Sequence, residues 1–338
     1  MNKSFLALAL TVLSACEAPE TVPLQPRLAF TIGAESGLTA ARDLTVDTAG
    51  NVIVFDYDDY VIQTFDPSGG AIGTFGGPEP EHGGFLHLMA VRALGDSLLA
   101  LDAGSLSVFE LSGELRRRQP LADTIVCDLP RVHPSGQWAG EWIVEQTAEK
   151  TLTHRDSEGR ERSRVAGYGL DEFFPGIEPG GMFFIRPTEA RSYLYDFFPD
   201  GRLVWAISDE LRVNVRDGGE DELLFSADWT PLPFPPEEAQ ALREAQAGLS
   251  PPLFLNVPEN YQRIQHLVVD ETGTIWIYVV SLDRTGFLHL SARGREIGFH
   301  TVEADFDVLS ARVTAAEGHL YFLLGGSEET RIYTVDRP

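Results

Sequence analysis

A recurring pair of tight turns constrains the fold of this chain more than any other feature. In the stretch 41–76, two runs that alternate apolar and polar residues flank Asp47-Thr-Ala-Gly50, and two further runs flank Asp66-Pro-Ser-Gly69. Alternation with a period of two, broken by Asp, Pro and Gly, is typical of β-strands joined by short hairpins. The stretch therefore predicts a small antiparallel sheet of four strands, which needs neighbouring sheets to bury its two faces.

The same two turns recur along the chain. The first turn occurs six times, at 46–50, 94–97, 133–136, 198–201, 269–273 and 316–318. The second turn occurs five times, at 66–69, 111–113, 156–159, 216–218 and 291–294. The last repeat is thus one strand short, and the isolated strand Arg27 to Ile32 has no hairpin partner of its own. If that strand completes the last sheet, a ring closes and the open edges disappear.

The repeat count predicts an all-β fold, a six-bladed β-propeller with four-stranded antiparallel blades, in which the N-terminal strand closes the last blade. We expect one domain over residues 27–338. The stretch 41–76 resembles an NHL repeat. The whole domain is similar to the six-bladed β-propeller lipoproteins of Gram-negative bacteria, including the run Pro258-Glu-Asn-Tyr-Gln-Arg-Ile. This resemblance implies a fold and a location rather than an activity, because propellers support unrelated functions.

Residues 1–15 predict a secretory signal peptide, since a weakly basic start precedes an apolar run too short to span a bilayer. The run ends in Leu13-Ser-Ala-Cys16, which is similar to the lipobox of bacterial lipoproteins. This resemblance implies acylation of Cys16, with residues 16–26 as a tether; an ordinary signal peptide with a chance Cys is the alternative. We therefore expect an exported protein, lipid-anchored to the bacterial cell envelope and facing the periplasm or the surface. Glu17 favours the outer membrane over the inner one.

The chain carries 51 acidic and 26 basic side chains, a net charge of −25. Such a charge repels nucleic acid and anionic headgroups, so we expect no nucleic-acid partner and no membrane contact beyond the lipid anchor. A cationic partner, solubility or adaptation to high salt would each account for it. If Cys16 is acylated, Cys127 has no disulfide partner, and its apolar surroundings predict a small buried side chain in a monomeric domain.

Two segments interrupt the regular spacing, one at about 166–191 and one at about 227–261. The second contains 235–248, where the composition predicts a helix of about three turns. Both connect blades, and in a propeller such connections share one face with the loops between second and third strands. Long loops of this kind are usually functional. The predicted binding face comprises Asp56, Asp58, Asp59, Phe173, Phe174, Arg186, Trp229, Tyr261, Asp283 and Arg284.

Asp56, Asp58 and Asp59 are candidates for a metal site, because Ca²⁺ prefers several carboxylate oxygens. A solvated loop is the competing interpretation, and beyond this Ca²⁺ hypothesis the cofactor is unknown. The eight His residues are scattered along the sequence, so a zinc site would need His from distant blades. Nucleophile-elbow, P-loop and dinucleotide-binding motifs do not occur in the sequence.

These observations favour a non-catalytic function over an enzymatic one. We expect a binding or scaffolding module at the cell envelope that holds an unidentified envelope protein or small ligand on its insertion-bearing face. The alternative is a metal-dependent hydrolase, lactonase or lyase with its site at the central channel.

Overall fold

A computed structural model of the chain describes residues 23–80, 83–122, 127–144, 149–165, 167–169, 192–247, 259–326 and 329–338. The predicted signal peptide and Cys16 lie outside the described residues. So do Phe173, Phe174 and Arg186 of the first insertion.

The described strands form six antiparallel sheets, which are the blades of a β-propeller. The innermost strand of each blade packs against the innermost strands of both neighbouring blades, so the ring is closed. These strands line the central channel: β2 (Ala41–Val46), β6 (Leu88–Leu94), β10 (Asp128–Val132), β15 (Tyr193–Phe197), β19 (Ile264–Val269) and β23 (Arg312–Ala316). They belong to blades 1 to 6 in that order.

The other strands follow outward in each blade. The second strands are β3 (Val52–Asp56), β7 (Ser97–Asp102), β11 (Trp138–Val144), β16 (Leu203–Ile207), β20 (Ile275–Val280) and β24 (His319–Leu324). The third strands are β4 (Val61–Phe65), β8 (Ser105–Glu110), β12 (Glu149–Arg155), β17 (Arg212–Asp217), β21 (Thr285–Leu290) and β25 (Glu329–Asp336). The outer strands are β5 (Ala71–Gly76), β9 (Leu115–Pro120), β13 (Glu161–Arg164), β18 (Glu220–Ser226), β22 (Glu296–His300) and β1 (Arg27–Gly33). A two-residue strand, β14 (Tyr168–Gly169), also pairs with β12.

Blade 6 is completed by the N-terminal strand, as the turn count predicts. β1 pairs antiparallel with β25, with Leu28 opposite Tyr333 and Ile32 opposite Thr330. Ile32 is buried, whereas Leu28 is 52% exposed. The chain therefore closes its ring by joining its two ends in one sheet, in which β1 supplies the outer strand that blade 6 would otherwise lack.

Because side chains alternate in direction along each strand, one strand contributes to two different apolar cores. Val52 and Val54 pack toward blade 6, whereas Ile53 and Phe55 pack toward blade 2. Neighbouring residues of a strand point to opposite faces, so each blade contributes to the seams on both of its sides. Among the described residues, apolar clusters of this kind fill all six seams. Cys127 is only partly buried and packs against the cluster between blades 2 and 3.

The hairpin turns lie on one face of the ring. In the first, Gly50 donates its N–H to the Asp47 carbonyl at 3.0 Å, and its φ of 81° is in the left-handed region that favours glycine. We call the opposite face the insertion face; it comprises the loops between blades and those between second and third strands. Of the described residues, it includes the segments 227–247, 259–263, 281–284 and 301–311. The predicted helix in the second insertion is present as α1 (Pro236–Ala247).

Candidate functional site

The second insertion is hydrogen-bonded to blade 5. Leu282 in the loop after β20 donates its N–H to the Thr230 carbonyl at 2.9 Å. The two arms of the insertion also pair with each other, because Tyr261 donates its N–H to the Leu232 carbonyl at 2.9 Å. Through these backbone bonds the two arms form a wall on the insertion face, and this wall extends the blade 5 sheet.

Three residues of the predicted binding face meet at this attachment. The Asp283 carboxylate accepts the N–H of Thr230 at 2.5 Å. The Arg284 guanidinium lies 4.8 Å from the ring centre of Trp229 and forms an ion pair with Glu296 at 2.9 Å. A cation over an aromatic face is attractive and shields the ring from water. Asp283, Arg284 and Trp229 thus fasten the insertion to blade 5.

A cavity of about 320 Å³ opens on the insertion face beside this wall, in the seam between blades 5 and 6. Leu232 and Tyr261 of the insertion line one side, and Tyr278 and Val280 of β20 line another. The Tyr261 hydroxyl donates to the Glu238 carboxylate at 2.5 Å, which ties this lining ring to α1. Its volume is at the lower end of the range of small-molecule pockets, and most of its lining side chains are apolar or aromatic.

The third side of the cavity is the connection between blades 5 and 6, whose residues alternate in character. Its apolar members are wholly or partly buried and line the cavity: Val302, Ala304, Phe306 and Val308. Its acidic members are exposed to solvent: Glu303, Asp305 and Asp307. Asp307 also borders the cavity, and its carboxylate accepts the N–H of Leu309 at 3.0 Å to cap the 3-10 turn Val308–Ser310. The sequence contains this alternation, but the pattern alone does not indicate a cavity wall.

One polar group, Tyr278, lines the cavity, and a second, His266, is bonded to Val308 of its wall. Burial, and secondly the charge of Asp307, raise the pKa of Tyr278, so its hydroxyl stays protonated near neutral pH. The imidazole of His266 lies 2.9 Å from the Val308 carbonyl, and burial lowers the pKa of His266 to about 4. Its ring is therefore a neutral hydrogen-bond donor at neutral pH. Among the described lining residues, Asp307 is the one with a charged side chain.

The start of the described chain runs along the outside of the same connection. Leu24 donates its N–H to the Thr301 carbonyl at 2.7 Å and accepts the N–H of Glu303 at 2.9 Å. These two bonds form a parallel bridge between Leu24 and Val302, which lines the cavity. Leu24 is 3% exposed. The final residues of the predicted tether are thus fixed to the cavity wall.

The loop Asp56 to Asp59 lies on blade 1, away from this cavity. Both Asp56 oxygens accept backbone N–H groups: one from Thr39 at 2.5 Å and Ala40 at 2.7 Å, the other from Asp58 at 2.9 Å and Asp59 at 3.1 Å. Burial pushes the pKa of Asp56 up, but these bonds outweigh it and hold the pKa below its usual range. The Asp56 carboxylate therefore clamps the loop before β2, and the geometry gives its Ca²⁺ interpretation no support.

A Tyr–His–Tyr cluster lies next to that loop. The hydroxyls of Tyr57 and Tyr60 lie 3.0 Å and 2.8 Å from the two ring nitrogens of His87. The Arg42 guanidinium covers the Tyr57 ring at 4.0 Å. A neutral imidazole donates from one nitrogen and accepts at the other, so this cluster satisfies its own polar groups. Tyr57 lies in the loop between β3 and β4 and His87 in the connection before β6, and their contact could not be predicted from the sequence pattern.

The central channel contains an ion pair that sequence reasoning missed. Arg131 of blade 3 donates to the Asp43 carboxylate of blade 1 at 2.7 Å. Burial opposes the charge of Arg131, but Asp43, and then Asp196, outweigh it and raise its pKa. The second Asp43 oxygen accepts the N–H of Leu44 at 2.9 Å, and Asp196 accepts the N–H of Val269 at 2.9 Å. The positive charge of Arg131 is thus stabilised by two carboxylates of the innermost strands, Asp43 of β2 and Asp196 of β15.

Metal ligation needs several open donors around one point. Within the described ranges, no group of three or more His, Cys, Asp or Glu side chains has a geometry that could hold a metal ion. In the described part of the chain, no helix is long and apolar enough to cross a membrane.

Fold and site define a six-bladed β-propeller with an apolar pocket on its insertion face. No protein-family model matches the sequence, and no curated protein matches it. The structure is similar to that of a DUF4221 family member from Bacteroides vulgatus, at 11% identity and a TM-score of 0.50, covering 94% of this chain and 99% of the other.

Two further solved structures resemble it less closely. The calcium-binding protein regucalcin from Agrobacterium tumefaciens is 13% identical, with a TM-score of 0.48 over 94% of this chain and 97% of the other. A gluconolactonase from Xanthomonas campestris is 11% identical, with a TM-score of 0.44 over 95% of this chain and 98% of the other. At these identities the likeness concerns the fold alone.

Proposed function

We propose that this protein is a lipid-anchored, non-catalytic binding module of the bacterial cell envelope. In this proposal the cavity between the second insertion and blades 5 and 6 receives the apolar part of a small ligand or of an envelope protein. The observation that carries the proposal is the cavity itself, because its walls come from three chain segments that are each fixed by hydrogen bonds. A preformed apolar pocket binds without a large ordering cost.

The predicted tether, residues 16–26, gives a second argument for a ligand site at this cavity. Cys16 precedes Leu24 by eight residues in the sequence, and an extended chain spans at most about 3.6 Å per residue, so roughly 29 Å. Leu24 is bonded to the cavity wall. An acylated Cys16 would therefore keep the cavity wall close to the bilayer, at no more than the span of these eight residues.

The cavity proposal is tested with an uncharged fluorescent probe, N-phenylnaphthylamine, titrated into the purified domain. Ala304→Trp fills the cavity and is expected to weaken probe binding by at least about tenfold, or about 1.4 kcal/mol. Leu282→Trp adds the same ring at an exposed position of the same face and is expected to bind like the wild type. Equal binding by both variants, with unchanged melting temperature, would contradict the proposal.

The anchor is tested separately by cell fractionation. Cys16→Ser should move the protein from the membrane fraction to the soluble exported fraction, because one side chain carries all the lipid. Membrane association that survives this substitution would contradict lipid anchoring and leave the cavity test untouched.

The metal-dependent hydrolase, lactonase or lyase stays the alternative. A metal held by Asp43 and Asp196 in the channel would have to compete with Arg131, which donates to Asp43 at 2.7 Å and whose positive charge both carboxylates stabilise. A melting temperature that rises with Ca²⁺ or Zn²⁺ in the wild type, and does not in Asp43→Asn, would favour this alternative over the binding module.

A further inference from the structure

We infer that the cavity on the insertion face takes a small uncharged ligand with an apolar body and one hydrogen-bond acceptor, such as a ketone, ester or ether oxygen. The Tyr278 hydroxyl donates to this acceptor and orients the ligand. This assignment rests on the proposed function, and of its two kinds of occupant it commits to the small ligand.

Tyr278 combines deep burial with a hydroxyl that has no partner. It is 7% exposed, and it lines the cavity from β20. Its ring packs against Phe287 and His266, with ring centres 5.1 Å and 6.0 Å apart. Within the described residues, no hydrogen bond reaches its hydroxyl. The ring is therefore held in place by its neighbours, whereas the polar end is left unsatisfied.

The Tyr278 hydroxyl opens into the cavity. The buried side-chain atoms that lack a partner in the described part of the chain do not include it, so it keeps access to solvent-sized space. The space that Tyr278 borders is the cavity. The nearby charge of Asp307 acts on this hydroxyl, but the Asp307 oxygens accept from the Leu309 N–H at 3.0 Å and the Ser310 hydroxyl at 2.5 Å.

The other hydroxyls of the lining already donate to the protein. The Tyr261 hydroxyl donates to the Glu238 carboxylate at 2.5 Å. The Thr285 hydroxyl donates to the Ser281 carbonyl at 3.3 Å. Among the described residues of the lining, Tyr278 therefore has the one hydroxyl whose proton is not committed. A ligand that enters meets one free donor in a mostly apolar wall.

The chemistry of this donor sets the polar group of the ligand. Tyr278 stays protonated near neutral pH, and a phenol donates more readily than it accepts because its ring withdraws the oxygen lone pair. A purely apolar ligand would displace water from the hydroxyl without replacing its hydrogen bond, which costs affinity. An ionised acceptor would lose its water beside the Asp307 carboxylate, and Arg312 acts on His266, which is not part of the lining.

The test uses three probes with identical phenyl and propyl ends and a different linking group: a carbonyl in butyrophenone, a methylene in butylbenzene and an N–H in N-propylaniline. Each probe competes with N-phenylnaphthylamine for the full chain. Tyr278→Phe removes only the hydroxyl. Butyrophenone affinity should fall at least about fivefold in this variant, because one hydrogen bond is lost. The affinities of the other two probes should change by less than about twofold.

Tyr321→Phe is the matched control. Tyr321 is 8% exposed in the seam between blades 6 and 1, and burial raises its pKa as it does that of Tyr278, but it does not line the cavity. Loss of its hydroxyl should leave all three affinities within about twofold of the wild type. Melting temperatures of both variants show whether the fold is preserved. Equal effects of the two variants on butyrophenone would overturn the inference.

The outcomes separate the hydroxyl from the pocket. Parallel changes for butyrophenone and butylbenzene in Tyr278→Phe, with both probes weakened by Ala304→Trp, would overturn the inference and support the pocket. A selective loss of N-propylaniline would make the hydroxyl an acceptor and would also overturn it. Butyrophenone binding that Ala304→Trp leaves unchanged, or no binding of any probe, would overturn both the inference and the proposed function.

Discussion

Single carboxylates in this propeller serve mainly to fix loops. Asp56 accepts four backbone N–H groups, and Asp102 accepts the N–H of His87 at 2.5 Å in the same place of the next blade. The Ser208 hydroxyl accepts the N–H of Ser192 at 3.0 Å in blade 4. Asp56 and Asp102 are the last residues of second strands, and Ser208 directly follows one. Each of them binds the backbone just before the first strand of its own blade. The sequence alone cannot distinguish an Asp that fixes a loop from an Asp that binds a metal, because both are the same residue type at the same spacing.

Asp56→Asn should lower the free energy of unfolding at neutral pH by about 1–3 kcal/mol, since buried N–H groups lose a charged acceptor. Because folding lowers the pKa of Asp56, its carboxylate contributes fully to the free energy of unfolding above the unfolded pKa of about 3.9. This contribution is lost as the pH falls through the pKa of the folded state. Urea unfolding at neutral pH and near pH 3 measures the difference, which should shrink in acid.

The matched control for Asp56 is the exposed Asp58. Asp58→Asn should change stability by less than about 0.5 kcal/mol. A Ca²⁺-dependent melting temperature that is lost in both variants would contradict the clamp and restore the metal interpretation of this loop.

At the scale of elements, the strands and α1 were predictable because each has a periodic pattern with turn residues at its ends. For the second insertion, the sequence predicted only the face of the ring on which it lies. Trp229, Asp283 and Arg284 were singled out separately, and their contact follows from long-range pairing that local sequence does not encode. The connection between blades 5 and 6 was missed as a cavity wall, because its alternation resembles that of any half-buried strand.

Asp283→Ala should loosen the first arm of the insertion, because the Thr230 N–H loses its acceptor. We expect faster amide exchange over 229–232 and probe binding weakened about three- to tenfold, a cost of about 1 kcal/mol. Asp228→Ala is the matched control, since that side chain is fully exposed. Unchanged exchange in Asp283→Ala would contradict its role in the attachment.

At the scale of the whole molecule, the account depends on ring closure by β1. Turn counting predicted this closure, because six first turns and five second turns leave one strand to be supplied. The channel could not be predicted in the same way. Arg131 and Asp43 are 88 positions apart and meet only because the closed ring turns both side chains toward the same central channel.

Ile32→Ala should destabilise the domain by about 2–5 kcal/mol, because its side chain is buried between blades 6 and 1. Leu28→Ala, in the same strand but 52% exposed, should change stability by less than about 0.5 kcal/mol. Chemical denaturation of both variants measures this, and equal effects would contradict the closure by β1.

The domain should also lose stability in mild acid. Burial lowers the pKa of His154, His266 and His289 to about 4 each, against about 6.5 in an unfolded chain. Between about pH 6.5 and about pH 4 the unfolded state binds more protons, so the free energy of unfolding falls with the pH. His266→Gln should give a shallower slope in denaturation curves; an identical slope would contradict this origin.

The central claim is that the cavity between the second insertion and blades 5 and 6 is the ligand site. Hydrogen exchange with and without phenylhexanol, an uncharged probe, tests it most directly. We predict slower exchange at 260–262, 278–285 and 302–309 and no change in β2, β6 and β10. Protection of those inner strands instead, with the cavity segments unchanged, would contradict the claim and move the site to the central channel.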